Sequence, residues 1–232
     1  MDISIIIPTL NEAENIGKTV AFLRRHGGAA IREILVVDAG STDDTVRLAE
    51  QAGAQVVHCT EKSRAAQMNL GAAKSSGGIL YFVHADVQAP EHFVAEIETA
   101  YLKGWKMGNF RYRFNSNSWL LRFNASFTRF PFMFCQGGDK TLFVERELFF
   151  ALGGYDLQYI IMEEYDFMRR AAKAGYKWVV MPGVCVVSAR KYEKNSWLKV
   201  QMANILVFNM WQFRLAKPPA LKRIYRWMLG HA

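Results

Sequence analysis

Ile79-Leu80-Tyr81-Phe82-Val83-His84-Ala85-Asp86 decides how this chain is read. Its five leading apolar residues predict a short buried strand, and a carboxylate stands just beyond the point where that strand stops. Open α/β sheets present their ligands at the carboxyl ends of strands. Asp86 offers the oxygen that a hard divalent cation requires, and His84, two residues earlier, is a second candidate ligand. A structural histidine is the alternative reading of His84. No second and third ligand lie at zinc spacing, so a zinc hydrolase is not expected.

Upstream of this segment, strand and helix signals alternate with little waste. Ile3 to Pro8 is a β-rich apolar run, and Asn11 with Glu14 three residues later predicts a helix start. Ile16, Val20 and Leu23 follow at helical spacing, and Gly27-Gly28 ends the helix. Ile34 to Val37 predicts a second strand, running into the turn Asp38-Ala39-Gly40-Ser41-Thr42-Asp43-Asp44 and a helix that stops at Gly53. Val56-Val57 is a third strand, Ser63 to Ser76 a helix, and Pro90 to Leu102 a helix with Pro in its first turn. Repeated βα units predict an α/β fold with a mostly parallel central sheet flanked by helices.

Downstream the pattern is less regular. Phe110, Tyr112 and Phe114 alternate as in a strand, and Trp119, Phe123, Phe127 and Phe130 recur at helical spacing. Burial preferences place these aromatics chiefly in the core, with some lining a cleft. Gln136 to Val144 reads as strand, Arg146 to Leu152 as helix, and Glu163 to Ala174 as helix.

The chain has 232 residues, a formal charge of +8 and 51% hydrophobic residues, which excludes disorder and suits one large domain. Residues 1–190 are expected to form that domain and residues 191–232 a basic, aromatic-rich helical extension. From Arg190 onward there are nine Lys/Arg and one acid, so the whole excess charge lies there. Such a tail suits an anionic membrane surface; nucleic acid is not expected as a partner. The segment Lys199–Arg214 is too short and too polar to span a bilayer, which takes about 20 apolar residues. It is expected to lie on a membrane face, to pack back on the domain, or to pair with a second copy as a homodimer. Three scattered cysteines and a start that runs Met1-Asp2 straight into a strand lead us to expect a cytoplasmic protein, or one on the inner face of the membrane.

Four polar segments fall at predicted strand ends or helix starts: Pro8-Thr9-Leu10-Asn11-Glu12, Val37 to Asp43, His84-Ala85-Asp86, and Met162-Glu163-Glu164-Tyr165-Asp166. In this order and spacing they resemble the family 2 glycosyltransferases, which have the GT-A (Rossmann-like) fold. The resemblance covers most of residues 1–190. It is strongest to short soluble bacterial members, through Gln67-Met68-Asn69-Leu70-Gly71-Ala72, Phe82 to Asp86, and Ser188-Ala189-Arg190-Lys191-Tyr192-Glu193.

The resemblance implies a nucleotide-sugar donor, a UDP-sugar first, an unknown hydroxyl acceptor, lipid-linked or soluble, and a Mn or Mg cation. It places Pro8, Thr9, Asn11, Glu12, Asp38, Arg64, Asn69 and Ala85 at the nucleotide. Asp86 matches the last acid of the family's Asp-x-Asp motif, with His84 in place of the first. Glu163-Glu164 matches the Glu-Asp pair, which makes Glu164 the expected base of an inverting displacement and Glu163 the alternate. Gly137, Gly138 and Asp139 are expected on the acceptor side, and Arg190 and Lys191 at the diphosphate. Ala39 departs from the pattern, because many members carry an acid there that contacts the base. Two other readings remain. One is a nucleotidyltransferase, although the Gly-rich basic phosphate loop it needs is missing; the other is a non-catalytic lipid-binding scaffold.

Overall fold

The computed structural model describes residues 1–136 and 140–230. The elements run β1 (Ile3–Thr9), α1 (Ile16–Gly27), β2 (Ile31–Asp38), α2 (Thr45–Gln51), β3 (Gln55–His58), α3 (Arg64–Lys74), β4 (Ile79–Phe82), β5 (Val87–Gln88) and α4 (Phe93–Leu102). They continue as β6 (Met107–Phe114), α5 (Trp119–Ser126), β7 (Leu142–Glu145), α6 (Arg146–Ala151), α7 (Glu163–Lys173), β8 (Val179–Val187), α8 (Arg190–Lys194), α9 (Trp197–Gln212) and α10 (Pro218–Leu229).

One sheet carries the strands in the order β3-β2-β1-β4-β7-β6-β8-β5. From β3 to β4 every neighbouring pair is parallel. Beyond β4 the sheet is mixed: β7 is antiparallel to both β4 and β6, while β6 and β8 run parallel. The all-parallel part explains the sequence signal, since strands covered on both faces become continuous apolar runs. In β1, Ile3, Ile5 and Ile7 face a cluster with Ile16, Val20 and Leu23 of α1 and Phe93 and Ile97 of α4. Ile6 faces the other layer, with Met68 and Ala72 of α3, Phe149 of α6 and Phe167 of α7. The period of two thus sorts one strand between two helical layers.

On the second layer α3 lies very close to the sheet. A Cβ on Gly71 would sit 2.5 Å from Ile6 Cγ2 and 3.0 Å from Val37 Cγ2. This approach brings the start of α3 to the carboxyl ends of β1 and β2. The C-terminal helices pack on the same side as α7: Val207 and Trp211 of α9 and Leu221 of α10 cluster with Met162 and Tyr165.

Two expectations need correction. Helix α1 begins at Ile16, with Asn15 in the capping position, because Asn11 turns away in a left-handed conformation (φ 56°). The aromatics Trp119, Phe123, Phe127 and Phe130 are exposed. The helix α5 buries Leu121 instead and leaves the row at spacing four on its outer side. Strand β8 carries no clear sequence signal, because Pro182-Gly183 interrupts it at a bulge opposite the Phe110–Arg111 step of β6.

Candidate active site

The carboxyl end of β1 borders the crevice where the strand order reverses between β1 and β4, and a hydrogen-bonded frame fixes it to the end of β2. Asp38 is 1% exposed and terminates β2. One of its oxygens accepts the amides of Gly40 and Ser41, both at 2.9 Å. The other accepts the hydroxyls of Ser41 and of Thr9, the latter at 3.2 Å. Gly40 takes φ 83°, a conformation that glycine adopts without a side-chain penalty. Between the two strand ends, Asn11 Oδ1 accepts the Thr42 amide at 2.9 Å, and the Asn11 amide donates to Ser41 Oγ at 2.8 Å. Gln67, buried in α3, donates its side-chain amide to the carbonyls of Thr9 and Val37, both at 2.7 Å. Pro8, Thr9, Asn11 and Asp38 therefore shape the same crevice.

The loop after β4 faces this crevice from the next strand. Its backbone is anchored by Thr19 of α1, which donates to the Ala85 carbonyl at 2.7 Å. Asp86 accepts from Arg190 Nη2 at 3.0 Å, and the same guanidinium lies 3.4 Å from Glu12 Oε1. Arg190, the first residue of α8, thus joins β1's loop, β4's loop and the C-terminal segment. Half of its side chain (49%) is exposed. These neighbours raise the Arg190 pKa, chiefly through the hydrogen bond it donates to Asp86. Lys191 follows it on the surface of α8.

The acidic pair arrives from the opposite wall on the first turn of α7. His84 Nε2 lies 3.4 Å from Glu164 Oε1, with both side chains largely buried. Glu163, whose side chain is 1% exposed, is paired through Oε1 with Arg64 at the start of α3. Its Oε2 is buried without a hydrogen-bond partner among the described residues. The residue before the pair, Met162, is left-handed at φ 70°. That conformation costs a non-glycine residue about 1–2 kcal/mol; the packing of Met162 among Val207, Trp211 and Tyr165 holds it there. A carboxylate at a helix N-terminus faces the positive end of the helix dipole, and both acids stand there.

Asn69 stands apart from the crevice. Its Oδ1 accepts the Tyr155 amide at 2.9 Å and its Nδ2 donates to the Tyr155 carbonyl at 2.8 Å. The residues Gly137, Gly138 and Asp139 lie outside the described residues. One contributor has no motif to announce it: Lys222 of α10. Burial lowers its pKa, nearby Arg226 adds to the effect, and Glu163 opposes it. No spacing in the sequence links position 222 to position 163. Only the packing of α10 against α7 does so.

The donor set limits the ion this site can take. Among the described residues no three His, Cys, Asp or Glu side chains cluster as a metal cage. That does not suit zinc, which takes three or four protein ligands. A partly exposed single carboxylate at Asp86, with His84 nearby, fits Mg²⁺ or Mn²⁺, ions that keep several waters and share phosphate oxygens.

A parallel half-sheet with polar loops at its strand ends, faced by acids on a helix start, is the architecture in which open α/β sheets bind their ligands. Residues 4–149 match the model of glycosyl transferase family 2, and the chain belongs to that family. The glucosyl-3-phosphoglycerate synthase of Mycolicibacterium smegmatis is 31% identical over 97 residues, 38% of this chain and 32% of that protein. A PGL/p-HBAD biosynthesis glycosyltransferase of Mycobacterium tuberculosis is 28% identical over 178 residues, 71% of this chain and 67% of that protein. Among solved structures, a mannosyltransferase from Pyrobaculum calidifontis in complex with GDP-Man and Mn²⁺ superposes with a TM-score of 0.69 at 20% identity, covering 99% of this chain and 72% of that one. Glucosyl-3-phosphoglycerate synthase from Mycobacterium tuberculosis, in complex with Mn²⁺, UDP and glucosyl-3-phosphoglycerate, gives 0.60 at 20% identity, covering 100% and 81%. At that identity the likeness is one of fold, and the fold is GT-A. The chain spans about a third of the length of the first curated relatives it matches.

Proposed function

We propose that this chain transfers a sugar from a nucleoside diphosphate, UDP by first preference, to an acceptor hydroxyl with inversion at the anomeric carbon. The observation that carries the reading is the 3.4 Å approach of Glu164 to His84. It sets the acidic helix start against the loop that holds Asp86, beside the polar loops that end β1 and β2. The family supports glycosyl transfer, and the solved relatives that hold UDP or GDP-Man do so on this fold.

In the proposed reaction the nucleotide lies in the crevice framed by Pro8, Thr9, Asn11 and the 38–42 loop. Asp38 serves it by fixing that loop, since its oxygens already accept four hydrogen bonds. Glu12, Arg64 and the backbone at Ala85 border the same space, and Asn69 anchors the adjoining loop at Tyr155. The acceptor hydroxyl attacks the anomeric carbon while its proton passes to Glu164. The bond from that carbon to the diphosphate oxygen breaks, and its electron pair leaves with the diphosphate. Arg190 and Lys191 neutralise the departing charge, and Arg64 pairs with Glu163. Asp86, with His84 as alternate ligand, would hold a Mg²⁺ or Mn²⁺ ion that supplies positive charge to the diphosphate. Gly137, Gly138 and Asp139 are assigned to the acceptor side on sequence grounds.

A thermal-shift screen of nucleotide sugars with and without Mn²⁺ tests donor binding, since ligand that binds only the folded state raises its stability. Turnover of the stabilising donor is then measured for Glu164→Gln. The expected outcome is metal-dependent stabilisation by one donor and a loss of about 10²-fold or more in turnover for the variant. Wild-type turnover in Glu164→Gln would refute the base assignment, and the absence of stabilisation by any donor would refute the function.

A further inference from the structure

We infer that the exposed aromatic row of residues 119–134 and the outer face of α9 form one surface that docks on an anionic lipid bilayer. Trp119 (67% exposed), Phe123, Phe127, Phe130, Phe132 and Phe134 (60%) stand in solvent. They touch one another in sequence from Phe123 onward, with ring centroids 5.2 to 6.5 Å apart. Helix α9 buries Val200, Ala203, Val207 and Trp211, yet Leu198, Met202, Ile205 and Leu206 on its other side are exposed. A helix with apolar residues on both its buried and its exposed side has an outer patch left to cover.

Two contacts show that the row and the helix adjoin. The Tyr192 hydroxyl receives hydrogen bonds from Asn124 of α5 at 3.5 Å and Gln201 of α9 at 3.2 Å. At the other end, Met133 packs among Val207, Trp211 and Leu221, so Phe132 and Phe134 emerge beside α9. Row and helix together leave more exposed apolar surface than soluble monomers usually do.

Charge selects the occupant. Residues 119–136 contain Arg122 and Arg129 and no acid, and residues 197–230 contain six Lys/Arg and no acid. The α9–α10 turn adds a structural detail. Exposed Phe213 and Leu215 flank Arg214, and Lys173, Arg214 and Lys217 ring a cavity of about 620 Å³ that also contains Asp156 and Asp166. Asp166 is already neutralised by Arg169 and Arg170, so cations dominate the mouth. Aromatic and aliphatic side chains edged by cations are the composition of an interfacial membrane element. A second copy of the chain would bring the same cations against themselves, which disfavours a dimer through this face. No helix among the described residues is long and apolar enough to cross a membrane, so the contact is one of lying on the surface.

The test is co-sedimentation of the full chain with phosphatidylcholine vesicles, with and without phosphatidylglycerol. The expected result is binding to the phosphatidylglycerol vesicles that weakens as salt rises. The variants Phe132→Ser/Phe134→Ser and, on a separate element, Met202→Ser/Ile205→Ser are expected to bind about tenfold more weakly with unchanged melting temperatures. Arg214→Gln/Lys217→Gln should bind less while keeping its fold. Wild-type protein that remains in the supernatant, or that binds both vesicle types equally, overturns the inference. So does a dimer in sedimentation velocity that Met202→Ser/Ile205→Ser converts to monomer.

Discussion

Replacing Arg64 by Met tests what the ion pair contributes at the buried acid of the dyad. Glu163 is 1% exposed at its side chain, and Arg64, 34% exposed, is its ion-pair partner. Removing one partner of a fully buried pair costs about 3–5 kcal/mol. Two features reduce that here: a third of Arg64 already reaches solvent, where pairing is worth about 1 kcal/mol or less, and Lys222 stays within electrostatic reach of Glu163. We expect Arg64→Met to cost about 2 kcal/mol, a fall in Tm of about 4–8 °C for a chain of this size. Adding Glu163→Gln removes the stranded charge. The double variant should therefore be more stable than the sum of the two singles by about 1 kcal/mol or more, within the range measured for contacting pairs. Urea unfolding of the four proteins at neutral pH gives the cycle directly. Strict additivity would show that Arg64 does nothing for Glu163, and the ion pair would have to be dropped from the account of the site.

Other outcomes follow from single contacts. Asn69→Ala leaves the Tyr155 amide and carbonyl without their partners and should cost about 2–3 kcal/mol in urea unfolding, the range for unsatisfied buried groups. Gly71→Ala forces a methyl to within 2.5 Å of Ile6 Cγ2 and should cost about 1–3 kcal/mol by overpacking. Burial pushes Lys140 down to about 7, against about 10.4 when unfolded. Between those values the unfolded chain binds more protons, so this group makes stability rise with pH and the gain is lost as pH falls through 7. Cys185, pushed up to about 12 by burial, acts in the opposite direction. The measurement is therefore the stability difference between wild type and Lys140→Met at pH near 7 and pH near 9.5, which should shift in favour of wild type at the higher pH.

The parallel half of the fold was legible because its strands are covered on both faces. Ile3 to Pro8, Ile34 to Val37 and Ile79 to Val83 need no knowledge of partners to be read as buried. Asn11 misled because its side chain is engaged by Thr42, a residue 31 positions away, so a local capping pattern did not describe it. Strand β8 was hidden for a related reason: Pro182-Gly183 reads as a breaker until β6 supplies a bulged partner. In the site, the four polar segments and Arg190 could be located from the sequence, since they sit at strand ends and helix starts. The division of labour among them could not. That Asp38 spends its hydrogen-bonding capacity on the amides and hydroxyls of adjoining loops and Asn69 on the backbone of Tyr155, and that Lys222 arrives from the last helix, depends on packing across the layers. The exposed row of phenylalanines shows the same limit, because helical spacing reveals that residues share a face and not which way the face points.

Gln67 has a consequence beyond its two hydrogen bonds. One planar nitrogen, whose two hydrogens diverge at a fixed angle, is attached to both Thr9 and Val37. The spacing between those strand tips is thereby gauged by covalent geometry, and helix, strand and strand must travel as a single block. A guest that binds beside these tips meets a wall already fixed by the β1–β2 ladder and by Gln67, so little ordering is left to be done on arrival. A carboxylate at position 67 would face two carbonyl oxygens with no hydrogen to offer, and the tips would lose their gauge.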